Sequence, residues 1–167
     1  MENFKGLIRV GKVSAIYPER ARARVVFEAH KLVSYELTVI QKQTLKNRDY
    51  WMPDIGEYVL CVFLPTGNAS GFIVGSLYSE QNMPDLSSND KRAIMFDDGT
   101  YIEYDRKAHL LTLDIPDGTI NININGPINI TATGNINVNG DVIADGISLK
   151  NHVHPENDNG GPTDPPQ

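Results

Sequence analysis

The stretch between Gly118 and Gly146 limits what this chain can fold into more than any other part of it. Glycines fall at positions 118, 126, 134, 140 and 146, with spacings of eight, eight, six and six. Between them run Thr119–Asn125, Pro127–Thr133, Asn135–Asn139 and Asp141–Asp145, in which β-branched apolar residues alternate with small polar ones. A period of two is the mark of strands with one face buried. Ile120, Ile122, Ile124, Ile128, Ile130, Ile136, Val138 and Val142 share one parity, and glycine at each corner permits a tight change of direction. The parity shifts by one around residues 143–147.

A ribbon of this kind cannot bury its apolar side alone, and its open edges invite aggregation. No other segment carries a spare apolar face large enough to cover it. The economical solution is for several copies to wrap around one axis with the isoleucines inward and each edge paired with a neighbouring chain, an arrangement closed by cyclic symmetry. A three-fold β-prism or β-helix is the common form in needle-shaped proteins, although the periodicity does not by itself set the number at three. The outward positions are Asn and Thr with few Asp. That choice fits a shaft of low charge that slides through a lipid-rich medium, and equally a ladder of stacked asparagines.

The shaft ends in Ile147-Ser148-Leu149-Lys150-Asn151 and then His152-Val153-His154-Pro155. Residues i and i+2 of a strand project from one face. Two imidazoles are too few for a closed structural metal site, but three chains around an axis would bring six nitrogens together. An octahedral set of six imidazoles suits Fe(II), with Ni(II) or Co(II) as competitors, and suits tetrahedral zinc poorly. The register that points both rings inward is taken as an assumption. The tail, residues 155–167, is rich in turn formers and is expected either to be irregular or to fold back over the apex. His30 and His109 have no ligand pattern around them and are read as ordinary residues.

The N-terminal half follows a different pattern. Strands are expected at Leu7–Tyr17, Arg22–Phe27, Tyr35–Val39, Tyr58–Leu64 and Gly71–Gly75, with turns at Pro18-Glu19, Asp54–Glu57 and Gly67-Asn68. Residues 40–50 read as helix or loop. Five or six short strands in this length suggest a small barrel, of which the OB-fold is the common five-stranded form. Residues 81–93 read as a polar linker, followed by a hairpin at Ile94–Phe96 and Thr100–Tyr104 and a further strand at Leu110–Ile115. The expected organisation is a barrel over 1–80, a linker over 81–93, a spike over 94–154 and an apical tail over 155–167. The fold class is therefore all-β: an N-terminal OB-fold barrel followed by a trimeric, intertwined β-helix or β-prism needle.

Charge narrows the function. Residues 1–90 hold ten basic and ten acidic side chains, and residues 91–167 hold five and eleven, which accounts for the net charge of −6. A nucleic-acid partner normally requires a basic footprint; the one small candidate, Arg20-Ala21-Arg22-Ala23-Arg24, reads better as a solvated strand face. The lone Cys61 sits in an apolar run and is read as a buried thiol. No basic segment followed by an apolar core marks a secretory signal at the N-terminus, and no apolar stretch reaches the roughly 20 residues of a transmembrane helix. The protein is accordingly expected to be made in the host cytoplasm.

Taken together, three groups of residues resemble the phage baseplate assembly protein V family, the central tail spikes of contractile phage tails and related phage-tail-like bacteriocins. They are Trp51-x-Pro53-x-x-Gly56-Glu57-x-Val59-Leu60 with Gly71-x-x-x-Gly75, the glycine-punctuated Ile/Asn repeat, and Ser148-x-x-x-His152-x-His154 followed by Gly160-Gly161-Pro162-Thr163. The resemblance runs from about residue 7 to the end. It implies an OB-fold barrel that trimerises and docks on a baseplate hub protein, a triple-stranded β-helix, and one iron ion per homotrimer held by His152 and His154 of each chain. It further implies a mechanical role at the tail baseplate tip of a virion, piercing the target cell's outer membrane on sheath contraction and capping the tail tube. The same part could serve a bacteriocin or a contractile secretion system.

Two readings compete. An OB-type binding module would need a basic groove lined by aromatics, and it would leave the needle without a role. A polysaccharide-cleaving tail protein would need two carboxylates facing each other across about 5–9.5 Å. Asp97-Asp98 could supply one, but a hairpin turn before Gly99 is the better reading. No nucleophile elbow, P-loop or Cys-x-x-Cys is present, so no enzymatic activity is expected.

Overall fold

A computed structural model of the chain describes residues 6–65, 69–155 and 160–164. The turn expected at Gly67-Asn68 lies outside these residues, as do parts of the tail. The chain divides into two compact units, Met1–Pro116 and Asp117–Gln167.

The first unit is built on strands β1 (Ile8–Tyr17), β2 (Arg22–Phe27), β3 (Leu32–Val33), β4 (Leu37–Val39), β5 (Tyr58–Phe63) and β6 (Gly71–Leu77). Only two short 3-10 turns, Pro18–Arg20 and Glu28–His30, interrupt the β structure. β1 pairs with β5 through Ile8–Lys12 and with β2 through Lys12–Tyr17, so one long strand serves both sides of the sheet. A register shift between Val13 and Ala15 bends it, as an added residue does in any strand that must turn a corner. β2 pairs with β4, β4 lies parallel to β6, and β6 returns antiparallel to β5. The circuit β1-β2-β4-β6-β5-β1 closes a five-stranded barrel of the OB type, with β3 added outside on β2.

Alternation explains the interior. Ala23, Val25 and Phe27 of β2, Leu37 and Val39 of β4, and Val59 and Cys61 of β5 point inward, and Val13 and Ile73 complete the buried core. Gly11 permits the closure. A Cβ there would lie 2.6 Å from Val25 Cγ1 and 2.7 Å from the Val26 carbonyl oxygen, so only glycine lets β1 approach β2 so closely. The one buried polar side chain among the described residues, Ser34, accepts the Val25 N–H through Oγ at 2.9 Å. Residues 40–50 are loop rather than helix. Gln41 organises the loop by pairing its side-chain amide with the backbone of Trp51, donating to the carbonyl at 2.8 Å and accepting the N–H at 2.9 Å.

Strands β7 (Lys91–Met95), β8 (Tyr101–Asp105) and β9 (Leu110–Asp114) form a separate antiparallel sheet. β7 begins inside the stretch read as linker, because Lys91 is drawn into the sheet by Glu103 at 2.8 Å. The cross-strand rows Arg92-Tyr104-Leu111 and Ile94-Ile102-Leu113 share one face, and its apolar members are exposed. The opposite face carries the Lys91–Glu103–Asp105 ion pairs.

In the second unit the strands expected between Thr119 and Asn139 do not form. The backbone from Pro116 to Val142 carries no ladder, and β10 (Ile143–Ala144) and β11 (Ile147–Ser148) make only a short hairpin. The intertwined needle is thus absent from the single chain. A ladder needs a neighbouring strand, and a lone copy of this repeat has none to offer. Ile120, Ile122, Ile124, Ile128, Ile130, Ile136, Val138 and Val142 stay 43–70% exposed. Among the described residues no helix is long and apolar enough to cross a membrane.

Candidate functional site: a braced histidine pair and two uncovered apolar faces

The β10–β11 hairpin is tied together by one carboxylate. Asp141 Oδ1 accepts the backbone N–H of Val142 at 2.8 Å and of Lys150 at 3.0 Å, and Oδ2 accepts the Ser148 hydroxyl at 2.5 Å. These donors, the Ser148 hydroxyl foremost, hold the Asp141 carboxyl below the usual carboxylate range. The Ser148 oxygen in turn accepts the Asn151 N–H at 2.8 Å, and the Ser148 carbonyl accepts the His152 N–H at 3.1 Å. The turn that delivers the histidines is therefore built from the hairpin upward.

His152 Nδ1 lies 3.0 Å from the Leu149 carbonyl oxygen. A carbonyl can only accept, so Nδ1 carries the proton and Nε2 keeps the lone pair that a metal needs. The rings of His152 and His154 sit 5.1 Å apart at 84°. With metal–nitrogen bonds of about 2.1 Å, two imidazoles in adjacent positions of an octahedral ion would hold their centroids about 4.5 Å apart, whatever the angle between their planes. The observed centroid separation is somewhat longer than that, and the 84° is the angle between the ring planes. Among the described residues no group of three or more His, Cys, Asp or Glu is assembled within the chain. Two nitrogen donors per chain is what one copy supplies.

His154 is held from the tail. Its N–H donates to Thr163 Oγ1 at 2.9 Å, and its carbonyl accepts the Thr163 N–H at 3.0 Å. In the sequence Thr163 ends the Gly160–Thr163 motif without being marked as a partner of His154, and Asp141 has no supporting role assigned to it. The signal for Asp141 was its place after Gly140 at the mouth of a hairpin, where a short carboxylate caps free N–H groups.

On the barrel, the pairs Ile8–Val62, Val10–Leu60 and Val62–Phe72 place five apolar side chains on the outer face, and Ile8 and Val10 are exposed. Ile8 and Val10 thereby form an apolar strip at the barrel surface with the half-buried Leu60, Val62 and Phe72 beside them. The arginine cluster is engaged otherwise. Arg20 and Arg22 reach Glu36 at 3.2 and 3.9 Å, and Arg24 donates to the Ser34 carbonyl. Asp98 caps its own turn by accepting the Thr100 N–H at 2.9 Å. Cys61 is fully buried, and burial pushes its thiol up to about 11.

No family model matches the chain. It is similar to the spike protein of Escherichia phage P2, with 26% identity over 130 residues that cover 78% of this chain. The matched part is 59% of that protein, so the chain spans less than two thirds of its relative's length.

Proposed function

We propose that the chain is a homotrimeric tail spike of a contractile phage tail, of the baseplate assembly protein V type. The isoleucine column carries this reading. Eight β-branched side chains of one parity lie uncovered in a single copy, and burying each would contribute roughly 1.5–3 kcal/mol. Three copies wrapped around an axis cover the column and supply the missing ladder. The likeness to a phage spike protein supports the same reading.

In this role the barrel docks on a baseplate hub protein through its outer apolar strip. The needle caps the tail tube and is driven through the target outer membrane when the sheath contracts. The particle is a virion, and the chain has no catalytic duty. At the apex, His152 and His154 of three chains hold one iron ion, which stops the strand ends from fraying under load. A closed ladder with an apolar core is stiff, and a metal on the axis ties all three chains at the point where none has a further strand to pair with.

Light scattering combined with metal analysis on one sample tests the proposal. Three chains per particle and about one iron per three chains are expected. A metal-free monomer would overturn it, and a barrel acting as a binding module would take its place.

A further inference from the structure

We infer that the tail segment Gly160–Asp164 is a clasp that positions His154 as a ligand, with Thr163 as the positioning residue. The inference rests on the metal reading proposed above. Beyond residue 154 the chain leaves the hairpin, and Pro155 offers no N–H to continue a ladder. Nothing in β10 or β11 bonds to the His154 backbone. Thr163 supplies what is missing, on both sides of one residue: its hydroxyl accepts the His154 N–H and its own N–H bonds the His154 carbonyl. Gly160, Gly161 and Pro162 precede it, a composition that suits a turn bringing the tail back.

The two histidines are thereby fixed by different means. His152 is held from within its turn by the Leu149 and Ser148 carbonyls. Among the described residues, the bonds to the His154 backbone come from the returning tail. The ring geometry between them, which decides whether two nitrogens can meet one ion, depends on both supports. Removing an outer partner of a metal ligand typically weakens metal binding about 10–100-fold.

The test uses the full chain and Co(II) as the probe, because its d–d absorption reports coordination number. Thr163→Val removes the hydroxyl at nearly constant volume, and Thr163→Ser restores it. The expected result is Co(II) affinity about tenfold weaker or more in Thr163→Val, recovery in Thr163→Ser, and an unchanged particle mass in both. Exchange of the His154 amide hydrogen should speed up in Thr163→Val alone. Unaltered Co(II) affinity and amide exchange in Thr163→Val would overturn the clasp while leaving the metal reading intact. Failure of the unaltered chain to take up Co(II) would overturn the metal reading and the clasp's ligand role together.

Discussion

The Nδ1 atom of His152 lies 3.0 Å from the carbonyl oxygen of Leu149. That contact assigns the ring proton to Nδ1 and leaves Nε2 as the free donor, an arrangement common to metal-ligating histidines. It is made within one chain and asks nothing of neighbouring copies. The imidazole is therefore oriented within the single chain.

If the proposed trimer and its iron site exist, changing both His152 and His154 to alanine should abolish iron uptake and leave the particle at three chains. Both histidines follow the isoleucine column in sequence, so the proposed assembly does not require them. Metal analysis and light scattering on the double variant check this. Collapse to monomers would make the site a folding requirement and not a reinforcement of the tip.

Asp141 makes the hairpin below the histidines sensitive to acid. Its carboxyl is held below the ordinary aspartate value of 3.8, chiefly by the Ser148 hydroxyl and the Lys150 N–H. A depressed carboxylate stabilises the folded form above the unfolded value, and that contribution disappears as pH falls through the folded one. Protection of the Val142 and Lys150 amides, measured against free-peptide exchange at the same pH, should therefore hold at neutral pH and fall as pH drops below 3.8. In Asp141→Asn that protection should already be low at neutral pH, with little further dependence on acid.

The barrel was legible in the sequence because its signals are local. The strands expected at Arg22–Phe27 and Tyr58–Leu64, and the turns before them at Pro18-Glu19 and Asp54–Glu57, map onto β2 and β5, which pair within the chain. The parallel β4–β6 contact was not legible, since no short-range pattern specifies which distant strand lies alongside. At the shaft the alternation was legible as well, but its consequence belongs to an assembly, and one chain shows the isoleucines only as exposed. The histidine pair could be found by spacing. Its supports could not, because Asp141 and Thr163 lie eleven residues before His152 and nine after His154 and act through backbone groups.

Cys61 should be inert in the folded protein. Burial raises the thiol from its ordinary 9.0 to about 11, so at pH 8 the thiolate fraction falls roughly a hundredfold. Full burial also denies a reagent access. A chromogenic disulfide reagent should find no thiol in the native chain and one per chain in denaturant. Rapid reaction under native conditions would show the barrel opening between β5 and its neighbours.

Ile130→Asp should dissolve the shaft and spare the barrel. In a three-chain needle this change sets three like charges close around one axis in an apolar interior, where each unpaired charge costs several kcal/mol and their repulsion adds to it. The burial of Ile130 is lost as well, at roughly 1.5–3 kcal/mol per copy. The barrel core of Val13, Val25, Leu37, Val59 and Ile73 contains no residue of the repeat. The expected product is a particle of one chain whose Cys61 remains unreactive. A particle still holding three chains would show that the isoleucines do not face the axis, and a reactive Cys61 would show that the barrel depends on the shaft for its own fold.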